Sequence, residues 1–306
     1  MFGGGAGHIR KVQDMTHTHY PSGHSAHDHD EGLAHDLPKL LGRRRMLALL
    51  GGGSLAAVAA PASAFECIAI PWETAGPYPA DGSNSRAGQV VNVLTQEGVL
   101  REDLRESFGD YDGTAEGVAL ELEITLLDAA GCTPLAGHAI YVWGCDATGN
   151  YSIYNIGDAN YLRGVGISDA SGQVQFTTIF PGCYDGRWPH IHFEVFRDAE
   201  AAVSGEASVL TAQMALPETD CAAVYETDPR YSNGTRNLGR ITLARDNVFA
   251  DNSEDELAQQ MLELTGDPAS GYRGRLTVPV DFTAERSDDM GPPPGGAFGM
   301  PPPPKG

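Results

Sequence analysis

Hydrophobic and polar residues alternate along the middle of the chain. Between residues 117 and 196 this pattern predicts four strands: Val118–Leu127, Ala139–Trp143, Val174–Thr178 and His190–Phe196. The turns between them, at 128–131, 146–149 and 169–172, each pair an acidic residue with a glycine that can adopt a positive φ. Short strands at this spacing are typical of an all-β protein. We therefore expect an antiparallel β-sandwich with long loops and few short helices.

Two further elements are predicted after residue 250. The segment Ser253–Leu264 has a capping serine, with Glu256 three residues later, and stops at Gly266, which predicts a short helix. The alternating segment Arg275–Phe282 predicts a final strand that returns to the sheet.

The chain divides into three parts by composition. Residues 1–64 form a histidine-rich leader, residues 65–286 carry the predicted sandwich, and residues 287–306 are rich in glycine and proline, which predicts a disordered tail. The leader histidines could bind a metal, but a solvated segment that is removed with the leader is the simpler interpretation. No internal repeat is visible.

The leader contains an export signal. Arg43, Arg44 and Met46-Leu47 precede a mildly apolar stretch of about 15 residues, too short to span a bilayer core, and Ala62-Ser63-Ala64 has the small residues of a cleavage site. The segment resembles a twin-arginine signal. We expect export to the periplasm or the extracellular space and no stable membrane span after cleavage; a retained N-terminal anchor is the alternative.

The formal net charge of -21 argues against a nucleic-acid partner, because binding to phosphate backbones needs a basic surface. Most acidic side chains lie after residue 64, so the charge belongs to the folded part. The five cysteines, Cys67, Cys132, Cys145, Cys183 and Cys221, all follow the cleavage site, where disulfides are favoured. An odd number leaves one unpaired, and the pairing of the others stays open.

Two histidines in the last of the four strands form a candidate metal site. His190 and His192 are two residues apart, so their side chains lie on one face of the strand while Ile191, Phe193 and Val195 face the opposite layer. Such a pair binds zinc or copper in many β proteins and is structural in others. After residue 64 only one other histidine, His138, occurs.

Four separated motifs resemble those of the intradiol ring-cleavage dioxygenases, the family of protocatechuate 3,4-dioxygenase and catechol 1,2-dioxygenase. Thr74–Tyr78 resembles the family's TxGPY segment, and Trp143–Tyr151 its tryptophan-glycine-tyrosine motif. Tyr184–His192 resembles its Y…RxxHxH motif, and Leu210–Gln213 the stretch that carries a pocket glutamine. The resemblance runs from about residue 67 to residue 282, and the combination of motifs in this order is highly specific.

The resemblance implies a non-haem iron(III) centre. Tyr151 would be the phenolate ligand that is retained, Tyr184 the phenolate that leaves when substrate binds, and His190 and His192 the neutral nitrogen ligands. Two phenolates and one hydroxide neutralise Fe3+, and hard anionic oxygen donors favour the ferric state. The cation must also lower the pKa values of both phenols from about 10.

The resemblance also implies the reaction. A small aromatic diol of the catechol type reacts with O2, and ring opening gives a muconate-type diacid that holds both oxygen atoms. Arg187 would stabilise negative charge on the ring, Gln213 would line the pocket, and Tyr78 and Trp188 are further pocket candidates. Relatives are often multimeric, so the resemblance allows a homo-oligomer.

One feature departs from part of the family: Tyr184 and His190 are only six positions apart, where some relatives insert a longer loop. Because that loop borders the pocket in relatives, the identity of the catechol stays open. Two alternatives also stay open. The first is a non-catalytic β-sandwich module that holds a metal through its histidines. The second is a copper oxidase or hydrolase, which would need a third ligand such as His138.

Overall fold

The computed structural model describes residues 67–284, which form a sandwich of two β-sheets. One sheet contains β3 (Ala119–Asp128), β4 (Thr133–Pro134), β7 (Gln173–Ile179), β10 (Glu263–Asp267) and β11 (Gly271–Val280). The other contains β5 (Ala139–Trp143), β6 (Arg163–Ile167), β8 (His190–Phe196) and β9 (Leu210–Ala215). A separate hairpin pairs β1 (Asp81–Arg86) with β2 (Gln89–Asn92). The predicted all-β sandwich is confirmed.

The two sheets differ in how their strands pair. The four-stranded sheet has the order β6-β5-β8-β9 and is antiparallel throughout. In the five-stranded sheet, β3 pairs with β4 and β7 along one edge and with β11 along the other. The pair of β3 and β11 is parallel, with Tyr272 opposite Leu120 and Val280 opposite Asp128. The sheet is therefore mixed, because β11 enters from a distant part of the chain.

The core lies between the sheets and follows the alternation of the strands. In β3 the even-numbered residues from Leu120 to Leu126 are buried. They belong to the same cluster as Ile191, Phe193 and Val195 of β8. Burial of these apolar side chains supplies the main driving force for packing the two layers. The opposite face of β8, which carries the histidines, is thereby directed away from the sandwich core.

Within residues 67–284, four α-helices lie outside the sheets: α1 (Ala199–Ser204), α2 (Glu218–Thr227), α3 (Gly234–Leu238) and α4 (Glu254–Gln260). Helix α4 has the predicted capping box, in which the amide of Glu256 donates to Ser253 Oγ. It ends before Leu264, because the amide of Leu262 donates to the carbonyl of Ala215 and the chain continues as β10. Tertiary pairing overrides the local helical pattern there. Helix α2 lacks a capping side chain and was not predicted.

A disulfide joins Cys67 to Cys132 and so ties the start of the described chain to the turn between β3 and β4. Cys145, Cys183 and Cys221 are free and buried. Within residues 67–284, no helix has the length and apolar content to cross a membrane. The predicted leader, including Arg43-Arg44 and the cleavage site, and the predicted tail at 287–306 lie outside the described residues.

Candidate metal centre

Strand β8 carries both histidines on the face that points away from the core. His192 lies opposite Trp143 of β5 on one side and Gln213 of β9 on the other. The Trp143 ring stacks on the imidazole of His192, with centroids 4.9 Å apart and an angle of 5° between the planes. His190 lies opposite Ala215, at the end of the same strand pair. The sheet thus fixes the positions of both imidazole rings and of the Trp143 ring.

Both imidazoles are neutral and buried. His190 Nδ1 lies 2.5 Å from the carbonyl oxygen of Trp188 and donates a hydrogen bond to it, which leaves Nε2 with a free lone pair. Burial lowers the pKa of His190 to about 3 and holds the pKa of His192 well below its ordinary value, and the charge of Arg187 adds to both effects. Neutral nitrogen donors are the form of histidine that binds metals.

Tyr151 reaches the histidines from the long loop between β5 and β6. An Asp146 turn begins this loop, and its Oδ1 accepts from the amides of Thr148 and Asn150. Further along, the side chain of Asn155 accepts from the amide of Tyr151. The phenol is 1 % exposed, and its oxygen lies 3.4 Å from His190 Nε2 and 3.1 Å from His192 Nε2.

Tyr184 approaches from the loop between β7 and β8. Its phenol oxygen lies 3.2 Å from His190 Nε2. The loop packs closely on the Asp146 turn: a Cβ at Gly149 would lie 2.9 Å from that of Tyr184, and the φ of Gly149 is +86°. Glycine is therefore required at this position. Unlike Tyr151, Tyr184 is only half-buried.

The four predicted ligands therefore converge through two phenol oxygens and two Nε2 nitrogens. His190 Nε2 and His192 Nε2 are 3.1 Å apart, so every measured separation among these donors lies between 3.1 and 3.4 Å. Donors bound to one metal at about 2 Å lie roughly 2.8 to 3.5 Å from each other. The arrangement fits a single small metal ion. Clusters of three or more histidine, cysteine or carboxylate side chains suited to a metal do not occur in residues 67–284.

The protonation state of the two phenols depends on whether a cation is bound. Burial raises the pKa of Tyr184 to about 12 and raises that of Tyr151 well above its ordinary value. Both phenols are thus protonated at neutral pH unless a positive charge compensates them. Hard oxygen donors beside neutral imidazoles suit a hard, highly charged ion such as ferric iron. The residues present fit the metal that the sequence motifs imply.

Arg187 lies beside the donors, within a buried network. Its Nε donates to Asp246 Oδ2 at 2.9 Å, and its second terminal nitrogen donates to Gln213 Oε1 at 2.7 Å. Gln213 in turn donates to the carbonyl of Thr74 at 2.9 Å. Gln213 thus orients Arg187 and joins it to the TxGPY segment. The guanidinium stays charged at any working pH.

The TxGPY segment covers one side of the donor cluster. A Cβ at Gly76 would lie 3.5 Å from His192 Cε1, and the φ of Gly76 is +71°. The Tyr78 ring packs on the ring of Tyr151, with centroids 4.9 Å apart. Trp188, the other pocket candidate, is buried in the sandwich core and donates from its indole nitrogen to Leu216. Its contribution to the centre is its carbonyl, not its ring.

His138 does not reach the centre. It precedes Ala139 of β5, five residues from Trp143, which corresponds to about 16 Å along a strand. Its ring packs beside Phe282. The third histidine that a copper oxidase would need is therefore absent from the centre as far as residues 67–284 describe it.

Three polar residues at or near the centre had not been singled out from the sequence. Asp246 is held by the backbone amides of Trp188 and Val248 as well as by Arg187. Arg163 is buried behind the loop that carries Tyr151. Glu73, next to Thr74, is a third buried ionisable group. None of the three residues belongs to a local motif. For Arg163, the one usable signal was a charged residue isolated inside an apolar segment.

Comparison with known proteins finds a similarity to dioxygenases. Residues 98–215 match the family model described as Dioxygenase. An intradiol ring-cleavage dioxygenase from Tetranychus urticae is 20% identical, with a TM-score of 0.51 over 72% of this chain and 98% of that one. The dioxygenase Tetur07g02040 is 22% identical, with a TM-score of 0.53 over 73% of this chain and 98% of its own.

A comparison with curated protein sequences finds no match. At these identities the two solved structures support the fold alone. The segment that matches the family model contains Tyr151, Tyr184, Arg187 and both histidines of β8. The matching segment and the shared fold agree with the resemblance to the intradiol ring-cleavage dioxygenases that the sequence motifs carry.

Proposed function

We propose that this protein is an iron(III)-dependent dioxygenase that opens a catechol-type ring between its two hydroxyl-bearing carbons. Its substrates are a small aromatic diol and O2, and its product is a muconate-type diacid that contains both atoms of O2. The observation that carries the proposal is the convergence of Tyr151, Tyr184, His190 and His192 through donor atoms 3.1 to 3.4 Å apart.

The ligand set also supplies the bases that the substrate needs. Bound ferric iron would supply a Lewis acid that the diol chelates as a dianion, and it would make the ring reactive toward O2. Tyr184 is half-buried, and its phenolate can leave and accept a proton from one hydroxyl of the diol. A hydroxide held by the bound ion would accept the other proton. Tyr151, which is 1 % exposed, remains as the anionic oxygen donor.

Arg187 is suited to a role in charge stabilisation. Its guanidinium adjoins the donor cluster, and Asp246 and Gln213 fix its orientation before substrate arrives. A preorganised cation stabilises negative charge on the ring without a proton transfer. We assign it this role, with Gln213 as the residue that positions it.

Bound iron and oxygen consumption test the proposal directly. Tyr151→Phe and His192→Ala should each bind iron more weakly and show a weaker red phenolate-to-iron absorption, and O2 uptake with catechol should fall at least about a hundredfold. His138→Ala is the matched control, because His138 lies away from the centre, and it should behave like the unmodified protein. Unchanged uptake in both ligand variants would refute the assignment. Stoichiometric, colourless metal binding without O2 uptake would favour the non-catalytic module instead.

We also propose that the protein acts outside the cytoplasm, after twin-arginine export and removal of the leader. The Cys67–Cys132 disulfide supports this, since such bonds persist in oxidising compartments. The N-terminal sequence of the mature protein tests it: cleavage should follow Ala64. A homo-oligomer stays a prediction that sedimentation of the mature protein would test. A panel of substituted catechols would identify the substrate.

A further inference from the structure

Arg163 is a fully buried cation that the proposed chemistry does not use. It is the first residue of β6, lies opposite Trp143, and has an exposed fraction of 0 %. Four of its five N–H groups donate hydrogen bonds, and all four acceptors are neutral oxygens. Burying a charge is costly unless its hydrogen bonds are satisfied. The position of those acceptors indicates what the residue does.

The acceptors lie on two segments that flank the metal centre. Nε and one terminal nitrogen donate to Oγ and O of Ser152, each at 3.1 Å. The other terminal nitrogen donates to the carbonyl of Pro79 at 3.0 Å and to the hydroxyl of Tyr141 at 3.1 Å. Tyr141 also donates to Pro79, at 2.7 Å. Arg163 thus joins the residue after Tyr151 to the residue after Tyr78.

The segment that Arg163 holds is strained. Ile153 has a φ of +72° and Leu162 a φ of +56°, in a region that β-branched and other large side chains rarely adopt. Such conformations are unfavourable and persist only where surrounding contacts enforce them. Tyr151 lies inside this loop, next to Ser152. Without the contacts of Arg163, the loop would lose a restraint on both the side chain and the backbone of Ser152.

We propose that Arg163 is a positioning residue that keeps Tyr151 at the metal as the permanent phenolate. The inference rests on the proposed iron site. It accounts for the difference between the two tyrosines: the loop of Tyr151 is held from behind by a guanidinium, whereas Tyr184 is half-buried and lies between Gly182 and Gly186. A planar guanidinium can contact two segments at once, which the single ammonium of a lysine cannot do with the same geometry.

A double-mutant cycle on iron affinity tests the proposal without relying on turnover. The dissociation constant for iron(III) is measured by competition with a chelator for Arg163→Met, alone and combined with Tyr151→Phe or Tyr184→Phe. We expect Arg163→Met to raise the constant at least about tenfold in the unmodified and Tyr184→Phe backgrounds, and less than about twofold with Tyr151→Phe. Arg105→Met, at an exposed ion pair with Asp103, is the control and should change nothing.

Absorption spectra give a second measurement. In Tyr184→Phe only Tyr151 can give the phenolate-to-iron band, so adding Arg163→Met should shift or weaken that band. In Tyr151→Phe the remaining band should not respond to Arg163→Met. Equal effects in both backgrounds, or no effect in either, would overturn the proposal, since a general loss of stability does not discriminate between the tyrosines.

Milder variants cover the case in which Arg163→Met fails to fold. Arg163→Lys keeps the charge, and Ser152→Ala removes one acceptor; both should show the same dependence on Tyr151 with a smaller change. Failure of the proposed function is distinguishable: iron binding that passes these tests without O2 uptake would refute the dioxygenase activity and leave the role of Arg163 standing. Absence of iron binding would overturn both.

Discussion

Arg187 and Asp246 form a buried ion pair, with 2.9 Å between Nε and Oδ2, that links the loop before β8 to the segment before α4. The same carboxylate accepts from the amide of Trp188 at 2.6 Å. The carbonyl of Trp188 in turn accepts from Nδ1 of His190. The carboxylate of Asp246 therefore orients Arg187, the cation proposed to face the substrate. It also orients the backbone of Trp188, whose carbonyl sets the tautomer of His190.

Removal of the Asp246 carboxylate should strongly destabilise the fold. Asp246→Ala leaves Arg187 buried and unpaired, and removing one partner of a buried pair costs about 3–5 kcal/mol. We expect the free energy of unfolding, measured by urea denaturation, to fall by about that amount. Asp103→Ala is the matched control, because its partner Arg105 is exposed and surface pairs contribute about 0–1 kcal/mol. Similar losses in the two variants would contradict the buried role of Asp246.

Arg187→Ala should separate metal binding from turnover. None of the four donor atoms belongs to Arg187, so the iron-loaded variant should keep its red colour and its iron content. The turnover rate with catechol should fall by about 10² to 10³, the usual effect of removing one group that stabilises charge in the transition state. Arg236→Ala, on α3 away from the network, should turn over normally. Normal turnover in Arg187→Ala would contradict the role assigned to this residue.

Glu73 should make stability depend on pH. Burial raises its pKa from 4.5 to about 7, opposed by hydrogen bonds from Asn252 and Gln260 and by the charge of Arg187, and reinforced by Asp251. The folded state then holds a proton that the unfolded state releases between pH 4.5 and 7. The free energy of unfolding should therefore fall by about 3 kcal/mol as the pH rises through this window.

Glu73→Gln removes the ionisation and keeps the acceptor for Asn252 and Gln260. Relative to the unmodified protein, this variant should be more stable at pH 8 by up to about 3 kcal/mol and equally stable near pH 4.5. Urea denaturation at both pH values measures the difference. Glu97→Gln, at an exposed position, should leave the profile unchanged. If Glu73→Gln followed the unmodified profile at both pH values, the prediction would be wrong.

The Cys67–Cys132 disulfide should stabilise the fold mainly through the unfolded state. It joins residues 65 positions apart, and closing a loop of this length corresponds to about 4 kcal/mol in the chain-entropy account. Replacing both cysteines by serine should lower the free energy of unfolding by about 2–4 kcal/mol. A reducing agent should destabilise the unmodified protein by the same amount and leave the double serine variant unaffected. A reducing agent without effect on the unmodified protein would disprove the prediction.

Local patterns in the sequence determined much of the fold. The short apolar run of β5 and the alternation of β8 predicted these two strands with their observed bounds. Capping chemistry placed the start of α4 at Ser253. Which tyrosines accompany the histidines was implied only by the resemblance to a known family. The spacing of His190 and His192 placed both rings on one face of a strand. These features depend on neighbours in the chain, so they can be read from it.

Only the tertiary structure decided how distant segments meet. The parallel pairing of β11 with β3, the end of α4 at β10 and the disulfide all join residues far apart in the chain. The same holds for Asp246 beside Arg187 and for Arg163 between Ser152 and Pro79. A buried charge can be placed only when the groups that satisfy it are known, and here those groups come from other strands and loops.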